Sequence, residues 1–197
     1  SRSTLARTEA VAASMAVVEV NASMGRIVAA PTAGASGILP GTLLMCANAK
    51  GWDDDALMRG LFNAGALGMI VARNASIAGA EGGCQAETGT AAAMAASALV
   101  ELSGGTPEMS LHAAAIALKN VMGLVCDPVA GLVECPCIKR NAIGAANAIL
   151  SADLALSGAG SIIPFDETVW ALRTVGRQLP QDLKETARGG LAATPTA

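Results

Sequence analysis

The shortage of aromatic side chains in an alanine-rich sequence constrains the fold of this chain more than any other feature. Its 197 residues include two tryptophans, two phenylalanines and no tyrosine, although 52% of them are hydrophobic. The core must therefore be built from Ala, Leu, Val, Ile and Met, and small side chains allow helices to pack closely. The sequence has no alternating or β-branched runs of the kind that indicate strands. We expect an all-α fold, a compact multi-helix domain of alanine-rich helices with cysteine-bearing interhelical loops.

Proline and capping residues predict the first helices. A helix is predicted over residues 4–29, because the residue before Pro31 avoids the helical region. Pro40 suits the first turn of a second, short helix. Asp53 is a good N-cap for a third helix that reaches about residue 72, with Trp52 placed to pack against it.

Glycine, proline and capping residues also predict where the helices of the second half of the chain begin and end. A helix over residues 88–102 should end at the glycines that follow it, and Thr106-Pro107 should open another that ends near Gly123. Residues 141–157 form the next predicted helix. The last predicted helix ends near residue 178. Its N-terminus is predicted to have a hydrophobic staple, in which Phe165 precedes the N-cap Asp166 and packs against Trp170 in the first turns.

Charge and length exclude several classes of protein. The net charge is −3 and the chain has no basic stripe, so neither electrostatics nor aromatic stacking favours nucleic acid. The uncharged run between Arg26 and Lys50 contains Pro31 and Pro40, and we interpret it as a buried helix–loop–helix and not as a membrane span. The length fits one domain over residues 1–197.

Three of the five cysteines lie beside residues that break or cap helices. Cys84 follows a glycine pair, Cys126 precedes Asp127-Pro128, and Cys137 follows a proline. Breaks of this kind let thiolates and backbone N–H groups converge on one point. The spacing matches no local metal motif, so each cysteine could equally be a small buried hydrophobe, which is the interpretation that suits Cys46 best.

The sequence segments around these cysteines resemble those of the alpha chain of the iron-sulfur-dependent L-serine dehydratases, which deaminate serine without pyridoxal phosphate. The resemblance runs nearly end to end. It is carried by APTAGASGILP at residues 30–40, NASIAGA at 74–80, GLVCDP at 123–128 and KRNA at 139–142.

This resemblance implies a 4Fe-4S cluster held by Cys84, Cys126 and Cys137, with Cys135 as a bystander. An iron without a thiolate would act as a Lewis acid when the β-hydroxyl of L-serine is lost, and the products would be pyruvate and ammonia. The family also requires a beta part that no segment of this chain matches. We therefore expect poor turnover without a beta chain, and a homo- or hetero-oligomer.

Several polar residues in the shared sequence segments are candidates for supporting roles. Thr32, Ser36, Asn74, Ser76 and Arg140 are candidates for binding the substrate, although hydroxyls and amides in such loops often bond their own backbone. Candidates for contacts around the cluster are Gln85, Glu87, Lys139 and Asn141.

The catalytic base cannot be assigned from the sequence. The only histidine, His112, lies in a predicted helix among apolar residues, and we expect a partly buried surface role for it. A cluster with free thiols indicates the cytoplasm. The family's alpha chains carry a further N-terminal segment that we expect this chain to lack.

Two other functions stay open at this stage. A related enzyme could remove sulfide from L-cysteine with a similar helical domain. A helical interaction domain with simply buried cysteines, and no catalysis, is the second.

Overall fold

Eight α-helices make up most of the chain in the computed structural model, which describes residues 2–197 and the side chains from residue 7 onward. This part of the chain contains no strand, so the expected all-α fold is confirmed. The helices are α1 (Arg2–Ala22), α2 (Ile38–Lys50), α3 (Asp54–Asn74), α4 (Gly79–Gly82), α5 (Thr90–Leu102), α6 (Pro107–Lys119), α7 (Cys137–Leu156) and α8 (Phe165–Gln178). Four shorter turns are Gln85–Gly89, which is π-helical, and the 3₁₀ turns Val129–Gly131, Gln181–Leu183 and Gly190–Ala193.

Helix α5 forms the centre of the molecule. All of its residues from Thr90 to Val100 are buried. Helices α2, α3, α6 and α7 pack around it, and α1 lies against α2 and α7. Alanine dominates α5, so the backbones of the surrounding helices can approach it closely.

The contact between α1 and α2 depends on glycine. A β-carbon at Gly41 would lie 2.7 Å from the backbone nitrogen of Ser14, and one at Gly37 would collide with the Ser14 carbonyl oxygen. Real β-carbons do not approach backbone atoms this closely. Glycine at these two positions therefore allows α1 to lie directly against the start of α2.

The predicted caps of the middle helices are confirmed. The Asp53 carboxylate accepts a hydrogen bond of 2.8 Å from the backbone N–H of Ala56 at the start of α3. The Thr106 hydroxyl accepts one of 3.2 Å from Met109, and Pro107 occupies the first position of α6. Within residues 2–197, no helix has the length and apolar character that crossing a bilayer requires.

Two helix ends differ from the prediction. The first helix ends at Ala22 and not at residue 29, because Met24 adopts a left-handed conformation with φ of 62°. The N–H of Gly25 then bonds back to the Val20 carbonyl at 2.8 Å, which closes the helix. Helix α6 ends at Lys119, before the predicted position near Gly123.

Two helix starts also differ. Helix α7 begins at Cys137, four residues before the predicted start, so Cys137 is the first residue of the helix and does not precede it. Helix α8 begins at Phe165 after Pro164, and Trp170 is 67% exposed. The predicted staple between Phe165 and Trp170 is therefore wrong.

Candidate metal centre

Cys84, Cys126 and Cys137 reach one point from three different segments of the chain. Cys84 directly precedes the π-helical turn, Cys126 lies in the loop after α6, and Cys137 opens α7. Each side chain is at most 7% exposed. Only Cys126 therefore lies in a true interhelical loop, whereas the other two lie at the ends of helical segments.

The sulfur atoms of these cysteines interact directly. The thiols of Cys126 and Cys137 both form hydrogen bonds with the Cys84 sulfur. The possible ligand atoms of Cys84, Glu87 and Cys126 all lie within 4.8 Å of one another. These groups are arranged so that one metal ion could contact several of them.

Glycine and a backbone bond hold the Cys84 segment in place. Gly83 has a φ of 76°, a left-handed conformation that favours glycine, and the N–H of Gln85 donates to the Leu124 carbonyl at 2.9 Å. A β-carbon at Gly79 would lie 2.9 Å from both the Cys126 sulfur and a Glu87 carboxylate oxygen. A β-carbon at position 79 would therefore displace one or both of these groups.

Arg140 connects the parts of the centre. Its guanidinium lies 3.4 Å from the Cys84 sulfur, donates to the Val125 carbonyl at 2.9 Å and forms an ion pair of 2.8 Å with Asp127. Burial acts to lower the pKa of Arg140, but the negative charges of Cys84 and Asp127 outweigh it and raise that pKa. Lys139, by contrast, is exposed.

The three thiols differ in acidity. Hydrogen bonds from Cys126 and then Cys137, together with the positive charge of Arg140, outweigh the effect of burial and lower the pKa of Cys84 to about 3. The same hydrogen bonds to Cys84, followed by burial, raise the pKa values of Cys126 and Cys137. Negative charge in the metal-free centre is therefore most favourable on Cys84, the sulfur that Arg140 contacts.

Glu87 brings a carboxylate to the same space. Burial, and then the negative charge of Cys84, raises the pKa of Glu87 to about 7. Thr32 lies close enough to Glu87 to lower that pKa, yet its hydroxyl oxygen is buried without a hydrogen bond of good geometry. A buried hydroxyl without a well-formed hydrogen bond is unusual in a folded protein.

Asn141 fixes the loop over residues 30–37 beside the sulfurs. Its amide donates to the Gly34 carbonyl at 2.7 Å and the Cys137 carbonyl at 2.9 Å, and its oxygen accepts from the N–H of Gly37 at 3.1 Å. Ser36, in the same loop, is fully buried with its hydroxyl unpaired. The structure thus brings this loop to the metal centre.

Other predicted residues lie apart from the sulfurs or act as supports. Gln85 is buried and ties the Leu172 carbonyl to the N–H of Gly123, which is a structural contact. The Asn74 side chain is exposed and bonds to Ile70 in its own helix. The hydroxyl of Ser76 donates to Glu81 at 2.6 Å.

The remaining cysteines and the histidine contact none of the three sulfurs. Cys135 is exposed, which favours Cys137 over it as a ligand, and Cys46 is buried in the core. Burial raises the pKa of the Cys46 thiol. His112 accepts a hydrogen bond of 3.1 Å from the Ser161 backbone and lies 4.0 Å from Glu108, as a partly buried residue outside this centre.

Sequence reasoning missed two parts of the centre. The Asp127 carboxylate accepts hydrogen bonds from the Arg140 guanidinium and, at 2.7 Å, from the backbone N–H of Leu191. Its position directly after Cys126 was the sign in the sequence that it could belong to the centre. The C-terminal segment also pairs with Cys126, whose N–H donates to the Leu183 carbonyl at 2.9 Å and whose carbonyl accepts from Glu185 at 2.7 Å. No motif marked that contact.

The donor set fits a metal that prefers sulfur. Thiolates select zinc, copper(I) or iron–sulfur clusters, and here they are buried beside a guanidinium that can offset their negative charge. By class, the molecule is an all-α protein with a buried thiol centre that could hold a metal.

Comparison with known proteins identifies the family. The family model described as "Serine dehydratase alpha chain" matches residues 2–192, and the chain belongs to that family. It is 57% identical over 188 residues to the probable L-serine dehydratase alpha chain of Bacillus subtilis, covering 95% of this chain and 63% of that protein. The corresponding Latilactobacillus sakei protein is also 57% identical, with 95% and 90% covered.

Longer relatives match over only part of their length. The L-serine dehydratase alpha chain of Peptoniphilus asaccharolyticus is 53% identical, with 95% of this chain and 64% of that protein covered. L-serine dehydratase 1 of Escherichia coli is 44% identical over 180 residues, with 90% and 40% covered. The chain therefore spans less than two thirds of the Bacillus and Peptoniphilus proteins.

Proposed function

We propose that this chain is the catalytic, cluster-bearing part of an L-serine dehydratase, which converts L-serine to pyruvate and ammonia. The observation that carries the proposal is the convergence of three buried sulfurs from distant segments, with Arg140 against one of them. Family membership supports the reaction, because the relatives are named L-serine dehydratases.

The proposed cofactor is a 4Fe-4S cluster with Cys84, Cys126 and Cys137 as its ligands. When bound, such a cluster supplies an iron without a protein thiolate, a Lewis acid for the serine β-hydroxyl. Sulfur–iron bonds would replace the present hydrogen bonds among the thiols, so Cys126 and Cys137 must give up their protons. Arg140 remains beside the sulfurs and offsets their negative charge.

The geometry favours different roles for the nearby polar residues. Because Arg140 already contacts Cys84, Val125 and Asp127, it positions the centre and is not free to clamp the substrate. The loop held by Asn141 presents the unpaired hydroxyls of Thr32 and Ser36, which we assign to substrate binding. The Asp127 carboxylate is engaged in an ion pair with Arg140 and is not free to accept a proton. We therefore assign proton transfer during the elimination to Glu87, the carboxylate beside Cys84 and Cys126.

The second proposed component is a beta chain. The names of several relatives designate an alpha chain, which implies a further subunit. The one histidine is engaged by Ser161, outside the metal centre. We expect the loaded chain alone to turn over L-serine poorly, and full turnover without a beta chain, measured as pyruvate release, would contradict this part of the proposal.

A second copy of this chain is the proposed partner for the outer face of α3. Met58, Phe62 and Met69 lie on one side of that helix and are 51%, 74% and 59% exposed. Acidic Asp54 and Asp55 stand at one end and Arg73 at the other, so two antiparallel α3 helices would bring opposite charges together. Exposed apolar stripes of this kind mark interfaces between proteins.

The proposed compartment is the cytoplasm. All five cysteines are free thiols, which agrees with a reducing environment and with a site that must bind metal through sulfur.

Anaerobic reconstitution with iron and sulfide tests the cofactor. We expect the native chain to take up about four irons. Cys84→Ala, Cys126→Ala and Cys137→Ala should each lose them, whereas Cys135→Ala and Cys46→Ala serve as matched controls that keep them. A native chain that stays free of metal would remove the chemical basis of the proposal and favour simply buried cysteines.

Substrate choice needs a separate assay. With the cluster loaded and a beta chain present, pyruvate release should be faster from L-serine than from L-cysteine. Preference for L-cysteine, with sulfide released, would reassign the chain to the desulfidase reaction.

A further inference from the structure

A small cavity of about 180 Å³ lies between α8 and the segment that leads to Cys84. None of the described cysteines lines it, so it is separate from the metal centre. Its polar walls are formed by Ser76 and Glu81 before Cys84 and by two arginines of α8, Arg173 and Arg177.

The charged groups of this cavity are not paired with one another. Arg173 and Arg177 stand four residues apart, on the same side of α8. Within residues 7–197, the side chains of these two arginines form no ion pair or hydrogen bond. The Glu81 carboxylate accepts a hydrogen bond only from the Ser76 hydroxyl. Opposite charges that share a cavity without contact leave a gap that a ligand can bridge.

Ordinary surface roles explain only part of this arrangement. Arg177 lies in the last turn of α8, where a positive charge is favourable for the helix dipole. Arg173 has no such benefit, and like charges four residues apart destabilise a helix. A bound anion would turn this repulsion into attraction.

The arrangement of charges indicates the chemistry of the ligand. Two guanidinium groups suit a carboxylate, which they can bind through several N–H groups, and Glu81 suits an ammonium group. The cavity is smaller than the range of about 300–1,000 Å³ that is typical of drug-sized ligands. The geometry points to a binding site for a small zwitterionic α-amino acid between Glu81 and the arginine pair of α8.

This site lies against the support of the metal centre. Gly82 and Ala86, which line the cavity, stand on either side of Cys84. Helix α8 touches this segment closely, since a β-carbon at Gly176 would lie 3.0 Å from the Gly82 Cα, and Gln85 donates to the Leu172 carbonyl at 3.2 Å. An occupant would therefore fix α8 relative to the Cys84 segment, whether or not metal is bound.

NMR titration of the metal-free 197-residue chain tests the site. The probe is L-alanine, which has no leaving group, with acetate and methylamine as single-charge probes. We expect saturable L-alanine binding that is tighter than that of acetate or methylamine. Arg173→Gln and Arg177→Gln should each weaken it by about tenfold or more, whereas Arg59→Gln, an exposed arginine on α3, should leave it unchanged.

Glu81→Gln distinguishes a zwitterion site from a plain anion site. Its amide oxygen can still accept the Ser76 hydrogen bond, so the fold should be kept, but L-alanine should then bind no better than acetate. The proposal is overturned if L-alanine gives no saturable shift, if acetate binds the native chain equally well, or if Arg59→Gln and Arg173→Gln behave alike. Because no metal is needed, this result does not depend on the proposed dehydratase activity.

Discussion

Arg140 shows how one side chain organises the metal centre at the residue scale. The sequence made Lys139 a candidate for contacts around the cluster and Arg140 a candidate for binding the substrate. The Arg140 side chain is 12% exposed, and it joins Cys84, Val125 and Asp127. The sequence could not identify Asp127 as the partner, because an aspartate between cysteine and proline is equally typical of a turn.

Arg140→Ala should lower the free energy of unfolding of the metal-free chain by about 3 kcal/mol or more, since it leaves Asp127 as a buried charge without its partner. Lys139→Ala, next to it but exposed, should change that energy by less than about 0.5 kcal/mol. Urea unfolding of the two variants measures the difference. Equal values would show that the ion pair does not hold the centre together.

Glu87→Gln should separate metal binding from proton transfer. The amide has nearly the shape of the carboxylate but cannot accept a proton, so turnover of L-serine by the loaded enzyme with its beta chain should fall by about 100-fold or more. Iron content after reconstitution should stay the same, because three sulfurs remain. Loss of iron would instead make Glu87 a ligand, and unchanged turnover would exclude it from proton transfer.

At the scale of helices, capping chemistry was predictable and conformational exceptions were not. Asp53 and Thr106 cap α3 and α6 as predicted, because their side chains bond to local backbone. The early end of α1 depends on Met24 in a left-handed conformation, which no local rule assigns to methionine. The π-helical turn after Cys84 is likewise set by tertiary contacts, including the bond from Gln85 to Leu124.

A pair of glycine substitutions tests how helices pack here. Gly41→Ala should lower the free energy of unfolding by about 1–3 kcal/mol, because its β-carbon would meet the Ser14 backbone of α1. Gly65→Ala, in α3 and facing open space, should raise it by up to about 1 kcal/mol through helix propensity. Thermal and urea unfolding measure both. A stabilising Gly41→Ala would mean that α1 is not seated on α2 as the structure shows.

At the scale of the whole molecule, the fold class followed from composition, whereas the assembly of the site did not. An alanine-rich chain with few aromatics is well suited to closely packed helices. The gathering of Cys84, Cys126 and Cys137 depends on contacts between distant segments, including the C-terminal residues that pair with Cys126. Residue spacing contains no signal for such contacts. Helix-breaking neighbours singled out these three cysteines, and the resemblance to a family made them the predicted ligands.

The outer face of α3 leads to the last prediction, which concerns association of the chain. Two of the four aromatic residues, Phe62 and Trp170, are exposed, and Phe62 lies at the middle of the apolar stripe of α3. Buried aromatic side chains contribute much of the energy of an interface. We expect light scattering to show a dimer of the native chain and a monomer for Phe62→Glu. Ile162→Glu, which changes an exposed residue outside α3, should stay dimeric. A native chain that is monomeric at concentrations of about 0.1 mM, a weak-affinity range, would leave the α3 face without the proposed second copy.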